Sequence, residues 1–213
     1  GHVFCLTALM SESKWKATEI AFHGGTSLHL SWQSPRFSED LDFLLSSTVN
    51  NVSAVSRRVL KNVRARFGAL DPMIEVDLRD KTRDPHRMLG FVLRISHPDY
   101  LGATKVKIEF WRTHPGYFKE YPTQLRTPIL PHDVLPFITC PIPAATLETA
   151  YADKLVALAT RPRVKWRDIY DLWWIGTQSH ASLDPQTVAR QFVHNASAYD
   201  TLDCLPPADA LRL

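Results

Sequence analysis

The chain has 213 residues and a net charge of +3, and 45% of its residues are apolar. That length buries a sizeable core, as one large domain or a core domain with a small appendage, and the apolar share is ordinary for a soluble globular protein. The charge is too small to mark a nucleic-acid binder by itself. Its distribution matters more, because basic residues gather at 57–66, 79–87 and 161–167. Cys5, Cys140 and Cys204 are far apart and odd in number, so no disulfide framework or zinc spacing is visible, which suits a reducing cytoplasm. No apolar run approaches the roughly 18 residues that span a bilayer. The first residues lack the basic start and cleavage site of a signal peptide.

In chain order, Thr18–His23 is a short apolar-rich run ending in Gly24-Gly25, a strand meeting a turn. Ser27–Trp32 is expected to form a short helix stopped by Pro35. Asp40–Leu45 reads as a strand, with Leu41, Phe43 and Leu45 on one face and Asp40 and Asp42 on the other. Val52, Val55, Val59, Val63 and Phe67 recur at helical spacing, and Arg57, Arg58, Lys61 and Arg64 lie off that stripe, predicting a helix with a basic outer surface. Three alternating stretches follow, carried by Ile74, Val76 and Leu78, by Phe91, Leu93 and Ile95, and by Val106, Ile108 and Phe110. They read as sheet strands with one covered face.

Residues 114–143 are rich in proline and poor in periodicity, so a linker or wrapping segment is expected there. Beyond it, Leu147, Ala150, Tyr151, Lys154 and Leu158 share one face of a helix at 146–160. A second helix is expected from Asp168 to Ile175, ended by Gly176. A third has Asp184 as cap and Pro185 at its first position, and uses Val188, Phe192 and Val193. The expected organisation is an α/β core over 1–140, linker included, then a helical subdomain over 141–213.

Asp40 and Asp42, two apart on a strand, project to the same face. Like charges held side by side are costly unless a cation lies between them, and hard oxygen ligands favour Mg²⁺ or Mn²⁺. An isolated Asp-x-Asp is more often a solvated strand face, so the neighbourhood decides. Gly24, Gly25, Thr26 and Ser27 sit between a strand and a helix, where glycines admit a phosphate to backbone N–H groups and the two hydroxyls add donors. Glu109, on the polar side of a later strand, is the natural third carboxylate, with Asp77 competing.

Lys154 lies within an apolar stripe, where a lysine needs an anionic partner such as an NTP phosphate, or snorkels at the stripe's edge. Asp168 and Asp171 have the spacing of a capping box, with Asp168 alternatively drawn to the site by Lys154 and Arg167. Arg161, Arg163, Lys165 and Arg167 alternate with Pro162, Val164 and Trp166. In an extended loop that sets four cations along one side, with Trp166 available for stacking. Trp173-Trp174 reads as core.

Together, Phe22-His23-Gly24-Gly25-Thr26-Ser27-Leu28, Arg36-Phe37-Ser38-Glu39-Asp40-Leu41-Asp42-Phe43, Glu148, Lys154-Leu155 and Arg167-Asp168-Ile169-Tyr170-Asp171-Leu172 resemble a known family. It is the AbiEii and MenT group of nucleotidyltransferase toxins, within the wider polymerase-β-like superfamily. The resemblance spans most of the chain and implies a mixed-sheet α/β (α+β) catalytic core followed by a helical part. It implies that Gly24, Gly25, Thr26, Ser27 and Arg36 face an NTP, and that Asp40 and Asp42 hold Mg²⁺ or Mn²⁺. Lys154 and Asp168 would complete the site, and Ser38 would lie near the transferred phosphate. Relatives of this kind add nucleotides to the 3′ end of tRNA and are paired with an antitoxin protein. An aminoglycoside-type antibiotic nucleotidyltransferase shares the glycine turn and the Asp-x-Asp. The basic segments favour a polyanionic acceptor over a cationic drug. A non-catalytic nucleotide- or RNA-binding module is the reading from another class.

Overall fold

A computed structural model describes residues 1–129, 140–178, 181 and 183–199. Six helices and a seven-stranded mixed sheet are formed by these residues: α1 (His2–Ser13), β1 (Ile20–His23), α2 (Gly24–Trp32), β2 (Asp40–Ser46), α3 (Val52–Leu70), β3 (Glu75–Asp80), β4 (Met88–Ser96), β5 (Thr104–Thr113), β6 (Thr123–Arg126), β7 (Ile142–Ala145), α4 (Leu147–Thr160), α5 (Trp166–Gly176) and α6 (Pro185–Ala196). The sheet order is β3-β4-β5-β2-β1-β7-β6. β2 runs parallel to β5 and β1 parallel to β7, while β1 with β2, β4 with β5 and β3 with β4 are antiparallel. The α/β fold class expected from the sequence is the observed one.

The chain divides into two compact units. The first comprises Gly1–Pro115 and Thr123–Ala144, the second Gly116–Pro122 and Ala145–Leu213. In the first, alternation along the strands does the sorting. Leu41, Phe43 and Leu45 of β2 join Phe22, Phe91, Leu93, Val106, Ile108 and Phe110 on one face, covered by Cys5, Leu6 and Leu9 of α1 and Val52, Val55, Val59 and Val63 of α3. Phe43 stacks on Phe110 and on Phe22 at centroid distances of 5.1 and 5.2 Å. With this face packed, the alternate residues of β2, Asp40 and Asp42, turn to the other side. Arg57, Arg58, Lys61 and Arg64 form the exposed side of α3, as its periodicity predicts. Arg58 donates to the Glu12 carbonyl at 3.0 Å and Arg64 to the Val76 carbonyl at 2.7 Å.

Several elements differ from expectation. α1 carries no capping side chain and little segregation of apolar from polar residues, so its pattern hides it. α2 begins at Gly24 rather than Ser27, and Gln33 ends it in a left-handed conformation before Pro35 is reached. The stretch expected as linker contributes β6 and β7 to the sheet, while its residues 130–139 lie outside those described.

In the second unit α4 packs against α5 and α6. Thr146 caps α4 by accepting from the Thr149 N–H at 3.3 Å, and Asp184 caps α6 by accepting from the Thr187 N–H at 2.8 Å, with Pro185 first in the helix. The Tyr121 hydroxyl donates to Asp153 at 2.6 Å, Asn195 donates to Asp153 at 2.8 Å, and Tyr117 stacks on His194 at 4.3 Å. Val188 is buried, but Val193 is 59% exposed and takes no part in the packed face. Among the described residues no helix is long and apolar enough to cross a membrane.

Candidate active site

Strand register builds the first group of site residues. His23 closes β1 level with Asp42, and Asp42 stands level with Glu109 on the neighbouring parallel strand β5. Asp40 is level with Lys107. Three carboxylates, an imidazole and an ammonium are thereby gathered on the face of the sheet opposite α1 and α3. The Lys107 ammonium pairs with Glu109 at 2.7 Å, and the carboxylates around Lys107 raise its pKa against the opposing effect of burial. Asp42 titrates above the ordinary carboxylate value. Burial is the main cause, and Glu109 and Asp40 add to it while His23 opposes it. Asp77, the competitor of Glu109, is exposed on β3 and paired with Arg79, so of the two it is Glu109 that register sets beside Asp42.

The glycine turn sits directly on these acids. Gly24 has φ +77°, and a Cβ there would lie 2.7 Å from Asp42 Oδ2. A Cβ on Gly25 would collide with Arg36 Nη2 and lie 3.0 Å from Ser38 Oγ. Gly24 therefore needs to be glycine for the Asp42 carboxylate to close on the start of α2, while at Gly25 a side chain would displace the end of Arg36 and crowd Ser38. The hydroxyls of Thr26 and Ser27 do not face outward as donors: Thr26 donates to the Asp40 carbonyl, and Ser27 to the Phe22 carbonyl at 3.1 Å. What they offer a phosphate is backbone N–H, concentrated at the first turn of the helix. Phe37, which the sequence pattern did not single out, is 81% exposed beside Arg36, its ring 4.6 Å from that of His29.

Among the described residues no group of three or more His, Cys, Asp or Glu side chains is arranged to hold a metal ion. The donor chemistry of Asp40 and Asp42 nevertheless fits a hard divalent cation: oxygen ligands on one face, with the charged form of Asp42 disfavoured first by burial and then by the carboxylates beside it.

The second group lies in the other unit. Lys154 is buried, as the apolar stripe predicts, but it neither snorkels nor stands open to a phosphate. Its ammonium pairs with Asp168 at 3.2 Å and with Asp171 at 2.7 Å, and Arg161 closes on the second oxygen of Asp168. Both aspartates are buried. The capping-box reading fails because α5 starts at Trp166 with Lys165 as its cap residue, which leaves Asp168 and Asp171 on the inward side of the helix. The extended row of four cations fails too. Arg161 is committed to Asp168, and Arg167 belongs to α5. Of the Trp pair, Trp174 is core and Trp173 is 62% exposed.

Comparison with known proteins supplies the family. A family described as "Nucleotidyl transferase AbiEii toxin, Type IV TA system" matches residues 6–212. A comparison with curated proteins gave no match. Among solved structures, the chain is similar to MenT4, a nucleotidyltransferase toxin from Mycobacterium tuberculosis, with 25% identity and a TM-score of 0.67. The match covers 97% of this chain and 65% of that one, so the chain spans just under two thirds of MenT4. Two Helicobacter pylori structures share the fold. One is assigned as a nucleotidyltransferase (19% identity, TM-score 0.56, 94% and 80% covered), and the other is JHP933 (18%, 0.51, 93% and 89%). With a match running over almost its whole length, the chain belongs to the AbiEii nucleotidyltransferase toxin family.

Proposed function

We propose that the chain transfers a nucleoside monophosphate from an NTP to an RNA acceptor, the 3′ end of tRNA, as the toxin of a toxin–antitoxin pair whose antitoxin is a separate protein. The observation that carries this is the seating of the glycine turn on Asp42, with Arg36 and Ser38 against Gly25. The helix start and Arg36 bind and orient the triphosphate, and Ser38 lies beside them to position the transferred phosphoryl group. Asp40 and Asp42 would hold Mg²⁺ or Mn²⁺, with Glu109 as further ligand or proton acceptor. When bound, the ion neutralises charge building on the phosphoryl oxygens. The acceptor hydroxyl oxygen forms a bond to the α-phosphorus and the bond to the bridging oxygen breaks. Pyrophosphate leaves with the electron pair, and the hydroxyl proton passes to a carboxylate of the site. Lys154 and Asp168 act in this reading through the orientation of α4 and α5.

The exposed cations of α3, and Arg163, Lys165 and Arg167, favour a polyanionic acceptor over a cationic antibiotic. Incubation with each labelled NTP and total tRNA tests the reading. Label on the tRNA 3′ end is the expected result. Label on an aminoglycoside, or NTP binding without transfer, would overturn it.

A further inference from the structure

The inward side of α5 carries Asp168, Asp171, Trp174 and Ile175. Its outward side carries Trp166, Ile169 and Trp173, exposed by 81%, 38% and 62%, with the Tyr170 ring 5.6 Å from that of Trp173. Spacings of three, four and seven residues align these groups in one stripe along the helix. Two large indoles left in water on one stripe mark an interaction surface. The charges beside them identify the kind of partner. Both acids of this segment are buried and neutralised by Lys154 and Arg161, so the exposed charges over residues 162–177 are Arg163, Lys165 and Arg167, all positive. Flat rings flanked along the chain by exposed cations suit a ligand with aromatic faces and a polyanionic backbone.

We infer that the outward face of α5 is a docking surface for single-stranded RNA, with bases stacking on Trp166 and Trp173 and phosphates meeting Arg163, Lys165 and Arg167. This rests on the reading of the protein as an RNA-directed transferase, and adds where the acceptor strand is held. The seven-residue spacing of the indoles corresponds to about 10 Å of helix. At roughly 3.4 Å per stacked base step, a strand of about four nucleotides touches both rings. Duplex RNA, whose bases are already stacked on one another, cannot use them.

The test is fluorescence anisotropy with a labelled single-stranded RNA decanucleotide and a blunt RNA duplex. The native chain is compared with Trp166→Ala, Trp173→Ala, Trp166→Phe and Arg163→Glu/Lys165→Glu, each checked for a native melting curve. The single strand is expected to bind better than the duplex. Each alanine should weaken binding roughly tenfold, Trp166→Phe should restore most of the affinity, and the double charge reversal should flatten the salt dependence. In the transfer assay the alanine variants should raise the apparent KM for RNA and leave that for NTP unchanged. Folded alanine variants that bind the decanucleotide like the native chain would overturn the inference. So would a native chain that ignores the decanucleotide and binds phosphatidylserine vesicles, which would make the stripe a membrane surface. Transfer to RNA with native KM in both alanine variants refutes the docking surface alone. Absence of RNA labelling by the native chain refutes the proposed function, and decanucleotide binding remains its own readout.

Discussion

Glu109 stands level with Asp42 on the adjacent parallel strand, and a further carboxylate is thereby placed next to one that already has Asp40 two residues away. Lys107 relieves part of the repulsion by pairing with Glu109, but Asp42 is left titrating above its ordinary range. Replacing Asp42 by Asn therefore has two opposite effects. Transfer should fall by about 10²–10³ or more, the order of losing one electrostatic stabiliser, and Asp40→Asn or the double variant should be no worse than either single loss, because the pair acts as a unit. Stability should rise. A carboxyl with a raised folded pKa costs nothing below pH 3.8, where both states are protonated, and its cost grows as pH climbs from there toward the folded value. The Asn variant should melt higher at neutral pH and lose that advantage in acid. Near-normal turnover in folded Asp42→Asn would refute the site.

Lys154 is the cation shared by Asp168 and Asp171, so Lys154→Met removes charge from beside two buried acids. Loss of one partner from a buried pair costs about 3–5 kcal/mol. At roughly 2–4 °C per kcal/mol for a chain of this size, the melting temperature should drop by ~10 °C. Adding Asp171→Asn to Lys154→Met should recover part of it. A thermal scan in which Lys154→Met melts like the native chain would show that the ammonium is not what holds α4 to α5.

The two glycines should separate. Gly24→Ala combines a left-handed backbone with a close approach to Asp42 Oδ2, and the conformation alone costs roughly 1–2 kcal/mol, so both stability and activity should fall. At Gly25 the collision is with the far end of Arg36, a flexible side chain, and with Ser38 Oγ. Gly25→Ala should keep the melting temperature within a few degrees and raise the KM for NTP. Unchanged NTP affinity in that variant would remove the turn from the binding site.

Cys5 lies in the core and burial pushes its thiol up to about 12 from 9.0. The unfolded chain loses this proton first, so stability should decline as pH rises above about 9 and continue to do so until the folded thiol ionises near 12. Peptide mapping after alkylation at pH 8 should find Cys140 modified and Cys5 intact. Modification of both at equal rates would contradict the packing of α1 on the sheet.

Legibility followed periodicity. β2 could be read because Leu41, Phe43 and Leu45 demand one face and leave Asp40 and Asp42 no other. α6 could be read because Asp184 and Pro185 are a cap and a first-turn residue in the right order. β6 and β7 could not, being four residues each, set among prolines, and joined to the sheet by register with strands far away in sequence. The proximity of His23 and Lys107 to Asp42 is likewise a matter of register. The alternation that marks Glu109 marks Lys107 equally, but spacing along one strand does not say which residue of another stands beside it. Asp168 and Asp171 carried a local signature of capping, and only a helix start two residues earlier turns them inward to Lys154. Trp173 and Trp174 read as one apolar unit in sequence, yet adjacent helical residues point about 100° apart, so one is core and the other is not.

The interleaving of the two units sets an order on synthesis. Residues 116–122 belong with the helical unit but emerge from the ribosome before β6 and β7 complete the sheet, and well before α6. The imidazole on which Tyr117 stacks and the amide that shares Asp153 with Tyr121 both arrive with α6, as His194 and Asn195. The sheet-bearing unit can be finished on a growing chain while the helical unit is still open. A chain cut ahead of α6 would keep the acids of the sheet and never close the unit that holds Lys154.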